Sequence, residues 1–99
     1  MILFLVKEKD AYKYFDSILG IYSSIDNAIE CICNRVRPYI SFSHDDNETV
    51  VEEKIDGVKD SLIERFIDGN EDYIQQDIYT DDWSFTYTII KMELDENHF

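Results

Sequence analysis

The fold is decided by a stretch near the end of the sequence, which reads WSFTYTII at residues 83–90. Every second residue from Trp83 to Ile89 is large and apolar, and the residues between them are Ser or Thr. This period of two is typical of a strand with one packed face. The apolar residues change phase from Ile90 onward, which predicts a β-bulge near residues 89 and 90. A sheet with at least one covered face therefore anchors the fold.

Two further strands are predicted at the start of the chain. Residues 2–6 (ILFLV) are apolar without alternation, which is typical of a central strand buried on both faces. The charged, Tyr-rich segment 7–16 is compatible with a loop or with an extension of a hairpin. Residues 18–22 form a second, short strand. A helix then begins after Ser23 and Ser24, which are both good N-cap residues, and Asp26 is placed to complete a capping box from Ser23.

Two apolar stripes at helical spacing follow. The first stripe contains Ile25, Ala28, Ile29, Ile32 and Val36, and the second contains Val51, Ile55, Val58, Leu62 and Phe66. Pro38 predicts that the first helix ends by Arg37, and residues 39–43 are predicted to form a short extended stretch. Residues 44–47 supply turn chemistry and an N-cap for the second helix, in which Gly57 allows a kink or break.

These elements predict a single α+β domain over residues 1–99, because one core is the usual solution at this length. The predicted architecture is a small, mainly antiparallel sheet of three or four strands with two helices packed on one face. The order is β-β-α-α-β, and residues 71–79 are compatible with either a helical turn or a strand. An acidic helical segment at about residues 44–82 is inserted before the last strand.

The charge of the chain excludes several classes of partner. Nine basic and 22 acidic residues give a net charge of −13, which repels nucleic-acid backbones and anionic membranes. No apolar run reaches the roughly 18 residues of a membrane span, and we expect a soluble cytoplasmic protein. Cys31 and Cys33 lack the spacing of a zinc site, and His44 has no accompanying histidine cluster. The sequence therefore predicts no metal, no cofactor and no enzymatic activity.

The negative charge is concentrated in one region. Residues 44–82 contain 14 acidic and three basic residues, a net charge of −11 out of the −13 of the whole chain. Within the second helix, acidic residues recur every four positions at Glu48, Glu52, Asp56, Asp60 and Glu64. Each step rises about 6 Å and turns about 40° around the helix axis. The result is a slowly winding row of carboxylates, which either keeps the chain soluble or imitates a phosphate backbone.

Two stretches resemble a family of small uncharacterised bacterial and phage proteins. They are LGIYSS at residues 19–24, followed by Ala28, and MELDENHF at residues 92–99. The family shows a G-[VI]-Y-S-[ST] strand end, a helix with an early Ala, and a last strand that closes in [YE]-x-L-D-x-x-H-[WF]. The resemblance implies a β-β-α-β core, with the acidic region in place of a short connector, and implies no activity. By size and charge, the chain is also similar to phage anti-CRISPR and anti-restriction inhibitors.

The leading hypothesis is a non-catalytic inhibitor that mimics nucleic acid and blocks a basic nucleic-acid-binding protein, such as a defence nuclease, in the cytoplasm of a bacterial host cell. The predicted contact residues are Glu48, Glu52, Glu53, Asp56, Asp60 and Glu64, extended by Asp45, Asp46, Glu71 and Asp72. The alternative is an adaptor or oligomeric protein that uses the aromatic strand from Trp83 to Ile89, with the acidic helix serving solubility. A homodimer is left open.

Overall fold

The computed structural model describes residues 1–10, 16–43, 45, 47–68, 72–79 and 84–93, without the side chains of residues 10, 43, 67 and 68. This part of the chain contains four strands and two α-helices. Their bounds are β1 (Ile2–Asp10), β2 (Ser17–Tyr22), α1 (Ile25–Ser43), α2 (Glu48–Ile63), β3 (Tyr73–Tyr79) and β4 (Ser84–Glu93). A π-helical turn (Glu64–Asp68) continues α2. The α+β prediction is confirmed, and the segment that was compatible with helix or strand is β3.

The sheet has the order β2-β1-β4-β3, and all neighbouring strands are antiparallel. The pairing of β1 with β4 is continuous from Ile2 opposite Glu93 to Asp10 opposite Phe85. The bulge predicted near residues 89 and 90 is therefore wrong. The apolar alternation changes phase after Ile89 because the next apolar residue, Ile90, lies on the opposite face of the sheet. The observed register shift lies between Val6 and Lys7, where β1 pairs with β2.

Both helices cover one face of the sheet, and the core lies between these two layers. The buried apolar sheet residues are Phe4, Val6, Ile74, Ile78, Phe85, Tyr87 and Ile89. The buried helix residues are most members of the two predicted stripes, together with Cys33 and Ile40. β1 is central, as predicted, and it extends through Asp10. The prediction that it is buried on both faces is wrong, because Leu3 and Leu5 on the second face are only half-buried.

Helix α1 begins at Ile25, directly after the two predicted cap residues, and ends six residues later than predicted. Of the two, Ser24 is the cap, since its Oγ accepts a hydrogen bond from the Asn27 amide at 3.1 Å. The helix continues through Pro38 to Ser43, so the predicted end at Arg37 and the extended stretch at 39–43 are wrong. Pro38 costs about 3 kcal/mol inside a helix. Burial of Ile40 and packing of the Tyr39 ring on Phe85, 4.7 Å between centroids, offset that cost.

Helix α2 begins and runs as its sequence pattern predicts. Asn47 is the N-cap, and its side-chain oxygen accepts a hydrogen bond from the Val50 amide at 3.3 Å. Val51, Ile55 and Leu62 are buried, so they fix which side of the helix faces the sheet. Gly57 neither kinks nor breaks the helix, which is continuous from Glu48 to Ile63.

Replacing Gly57 by Ala is expected to raise the free energy of unfolding by about 0.5 to 1 kcal/mol, because Ala restricts the unfolded chain and favours helix. A Cβ at this position has nothing within 4 Å. The matched variant is Gly20→Ala in β2, whose Cβ would lie 2.8 Å from the Tyr22 hydroxyl and 2.9 Å from its ring. That variant is expected to lower stability, and opposite signs in urea unfolding curves of the two variants test the prediction.

Candidate functional site

The carboxylates of α2 lie on the outward side of the helix. Glu48, Glu52, Glu53, Asp56, Asp60 and Glu64 are all exposed. Val51, Ile55 and Leu62 of the same helix point into the core, so the carboxylates lie on the rest of its surface, with Glu48 and Glu52 on the side next to α1. This set of six carboxylates is called the acidic face below. Its members span about 24 Å along the axis at 1.5 Å per residue, which corresponds to about one charge per 4 to 5 Å.

The helix that carries the acidic face is held at both ends. The Asn47 cap fixes its start, and the π-helical turn at its end buries Phe66, whose ring meets Phe4 of β1 edge to face at 6.1 Å. Arg65 donates from Nη1 to the Gln75 carbonyl oxygen at 2.8 Å and to Gln76 Oε1 at 3.2 Å. These contacts attach the end of α2 to β3, so the carboxylates are carried on a rigid support.

One member of the acidic face is paired with a cation. Arg37 of α1 donates from Nη1 to the Glu52 carboxylate, and both side chains are substantially exposed. Among the side chains that the structure describes, the other five carboxylates of the acidic face form no ion pair. Sequence analysis missed this ion pair because it predicted that α1 ends at Arg37. Arg37 instead lies within α1, next to α2.

The four predicted contact residues outside α2 have different outcomes. Asp45 is exposed just before the cap of α2, with a backbone φ of 52°. Asp72 is also exposed, but it belongs to the sheet, since its carboxylate lies 3.7 Å from Nζ of Lys91 in β4. Asp46 and Glu71 lie outside the described residues, as does His44. The structure therefore brings six of the ten predicted residues onto one helix and attaches Asp72 to β4.

A shallow cleft of about 430 Å³ lies between the end of α1 and the start of α2. Its lining consists of Arg37, Ser41, Glu48, Val51 and Glu52. Sites for small organic ligands are usually lined by apolar and aromatic side chains. This cleft is mostly charged, and we interpret it as part of the surface around the acidic face.

Sequence analysis missed a buried polar cluster formed by Glu8, Arg35 and Tyr87. Arg35 of α1 donates from Nε and Nη2 to the two Glu8 carboxylate oxygens, at 2.9 and 3.1 Å. The Tyr87 hydroxyl of β4 donates to the same carboxylate at 2.8 Å. Glu8 is 3% exposed. The sequence feature that could have revealed this cluster is the period of two of a strand, which places Glu8 of β1 on the same face as Phe4 and Val6.

The environment of this cluster keeps the Tyr87 hydroxyl and the Arg35 guanidinium in the protonated forms that their hydrogen bonds require. Burial, and then the hydrogen bond to Glu8, raise the pKa of the Tyr87 hydroxyl well above its ordinary value, so it remains a donor. The hydrogen bonds to Glu8 raise the pKa of the Arg35 guanidinium. The cluster joins β1, β4 and α1, and we interpret its role as structural, because the carboxylate is shielded from solvent.

Both cysteines are free, as predicted. Burial raises the pKa of the Cys33 thiol, and nearby Glu30 raises it further, while Lys59 and Arg37 act in the opposite direction. Cys33 therefore stays protonated at neutral pH and packs in the core. Cys31 is half-buried beside Tyr22, and the hydrogen bond between them raises the pKa of the Tyr22 hydroxyl.

The sheet face that the helices leave uncovered is the second candidate surface. It is called the open face below, and its described residues are Leu3, Leu5, Lys7, Lys9, Ile18, Ile21, Tyr73, Gln75, Asp77, Tyr79, Thr86, Thr88, Ile90 and Met92. Ile18, Ile21 and Tyr73 on its two edge strands are 65%, 57% and 56% exposed, whereas Leu5 and Ile90 on its central strands are half-buried and Thr88 is buried. By contrast, Phe85 and Tyr87 of the aromatic strand are buried under the helices, and Trp83 lies outside the described residues. An adaptor surface would therefore use the open face rather than these two aromatic rings.

Comparisons with protein-family models, with curated proteins and with solved structures found no match. Neither helix in the described part of the chain is long and apolar enough to cross a membrane. Within the same ranges, no three His, Cys, Asp or Glu side chains are grouped so that they could hold a metal ion. The inference of function therefore depends on the two surfaces, the acidic face and the open face.

Proposed function

We propose that this chain is a non-catalytic inhibitor whose acidic face occupies a basic, nucleic-acid-binding surface of a partner protein. The observation that carries the proposal is the exposure of six carboxylates, five along α2 and Glu64 at the start of the π-helical turn that continues it. A partner that binds a phosphate backbone displays clustered Lys and Arg, and these groups attract any rigid row of anions. A defence nuclease in the cytoplasm of a bacterial host is the partner class that the proposal names.

The spacing and support of the acidic face favour this function over simple solubility. Its carboxylates lie about 4 to 5 Å apart along the axis, close to the 3.4 Å between phosphates along one DNA strand. Like charges at i, i+4 destabilise a helix by a few tenths of a kcal/mol per pair, so a helix with this pattern carries a stability cost. A solubilising surface needs no such regular row, since interspersed charges of both signs serve that purpose.

The proposal is tested by capture of partners from a bacterial lysate on the immobilised chain, at about 50 mM and about 500 mM salt. We expect basic nucleic-acid-binding proteins to be retained at low salt, released at high salt and displaced by added duplex DNA. Binding that survives high salt and ignores the DNA would contradict the proposal. The charge-matched variants described in the Discussion separate the acidic face from the net charge of the chain.

A further inference from the structure

The open face has the composition of a covered surface. Residues 2–6 of β1 are apolar without alternation, as in strands whose two faces are both packed. The registers align one apolar row across all four strands, formed by Ile21, Leu5, Ile90 and Tyr73. The row continues on one side with Leu3 opposite Met92. No element in the described part of the chain covers this row, because α1 and α2 both pack on the other face.

The charge of the open face differs from that of the rest of the chain. Its described residues include Lys7, Lys9 and Asp77, a net charge of +1, whereas the whole chain carries −13. The acidic face lies on the helices, on the far side of the sheet. Two copies of so acidic a chain repel each other in most relative orientations. The repulsion is smallest when the two open faces meet. The charge distribution therefore favours a second copy of this chain as the occupant.

The open face is also large enough for a dimer. Four strands of six to ten residues, at about 3.4 Å per residue and about 4.8 Å apart, present roughly 520 Å² per copy, or about 1,000 Å² for two copies. A stable interface needs about 1,000 Å² or more.

We propose that the open face is a homodimer interface, in which two sheets pack face to face about a two-fold axis parallel to the strands. An axis between β1 and β4 places β1 of each copy over β4 of the other. The apolar row then meets its own counterpart, with Leu5 over Ile90 and Ile21 over Tyr73. Aligned packing of this kind is the usual arrangement of two stacked sheets, about 10 Å apart.

The same axis places an acidic residue of the second copy near the two lysines of the open face. Lys9 lies in the register row of Thr86 and Asp77, so the second copy places its Asp77 one strand away from Lys9. Lys7 is two residues further along β1, which leaves Asp77 of the second copy within reach of its long side chain as well. The dimer leaves both acidic faces on its outer surfaces, and the proposal is independent of what those faces bind.

The test is the mass of the full chain in solution, measured by sedimentation or light scattering over a range of concentrations. We expect about 24 kDa, twice the 11.8 kDa of one chain, with dissociation on dilution. Ile21→Lys and Tyr73→Lys, at positions more than half exposed, are expected to weaken the dimer at least tenfold. The control is Phe42→Lys on α1, also exposed, which adds the same charge outside the open face and should leave the dimer unchanged.

A charge exchange tests the orientation of the axis. Lys9→Asp is expected to weaken the dimer, and Asp77→Lys in the same chain is expected to restore it, because the exchanged charges again face each other. A monomer at all concentrations, or a dimer that ignores both Ile21→Lys and Tyr73→Lys, would overturn the proposal. Equal loss in the Phe42→Lys control would do the same. Partner capture by the acidic face is measured separately, so failure of one proposal is distinguishable from failure of the other.

Discussion

Replacing Arg35 by Met is expected to lower the free energy of unfolding by about 2 to 4 kcal/mol at neutral pH. Met keeps the helix propensity and much of the volume of Arg, but among the described residues it leaves the buried Glu8 carboxylate with the Tyr87 hydroxyl as its one side-chain donor. Removal of one partner of a buried ion pair typically costs about 3 to 5 kcal/mol, because the remaining charge is left buried without compensation. The retained hydrogen bond from Tyr87 and the partial exposure of Arg35 place the expected loss toward the lower end of that range.

The Glu8→Gln variant provides the sharpest comparison. Gln still accepts hydrogen bonds, and the Arg35 side chain is 50% exposed, so the guanidinium can return to water. We therefore expect a smaller cost, about 1 to 2 kcal/mol. Unfolding curves in urea measure both variants. A larger loss for Glu8→Gln than for Arg35→Met would contradict this account.

A rescue variant separates the cluster from the packing around it. Glu8→Leu, Arg35→Met and Tyr87→Phe together remove all the polar groups and leave no buried donor or acceptor unsatisfied. Replacement of a whole buried ion pair by apolar groups is often neutral or stabilising. The triple variant is therefore expected to be more stable than Arg35→Met alone, although it differs more from the natural sequence.

The elements with a single clear period were predictable from the sequence. The stripes of α1 and α2, the alternation in β4 and an N-cap within residues 44–47 are local patterns, and the structure confirms them, with Asn47 as the cap. The strand β3 was ambiguous because its two buried residues, Ile74 and Ile78, are four positions apart. That spacing fits one face of a strand and one face of a helix equally well. Pairing with β4, a contact far along the chain, decides between them.

The errors came from local rules that tertiary contacts override. Pro38 disfavours helix at Arg37, yet α1 continues because the residues beyond it, Tyr39 and Ile40, reach the core. The position of Arg37 next to Glu52 follows from that continuation, so the ion pair between these two side chains was not predictable. The exposure of the acidic face was predictable, because the apolar stripe of α2 fixes its opposite side.

The second large effect concerns the acidic face itself. Reversing Asp56, Asp60 and Glu64 to Lys is expected to reduce affinity for the captured partner by at least a hundredfold. Each reversal removes an attraction and places a cation against a basic surface, and such like-charge contacts can cost several kcal/mol in total. These three positions form no ion pair within the described ranges, whereas reversal of Glu52 would set Lys against Arg37 and disturb the contact between the helices.

The control must carry the same net charge. Asp16, Glu30 and Glu93 are exposed and lie outside α2, and their reversal to Lys changes the charge from −13 to −7, as in the test variant. If the acidic face binds, the control keeps most of the affinity, because its charges lie outside the contact. If net charge alone attracts the partner, both variants lose affinity equally, and the acidic face then has no special role.

Salt dependence supplies a readout that misfolding of the variants cannot imitate. Each carboxylate in the contact adds about one unit to the slope of log affinity against log salt, as each phosphate does in DNA binding. The neutral variant with Asp56→Asn, Asp60→Asn and Glu64→Gln is therefore expected to have a slope lower by about three, with an affinity between the wild type and the reversed variant. An unchanged slope would mean that these side chains lie outside the interface, even if the affinity falls.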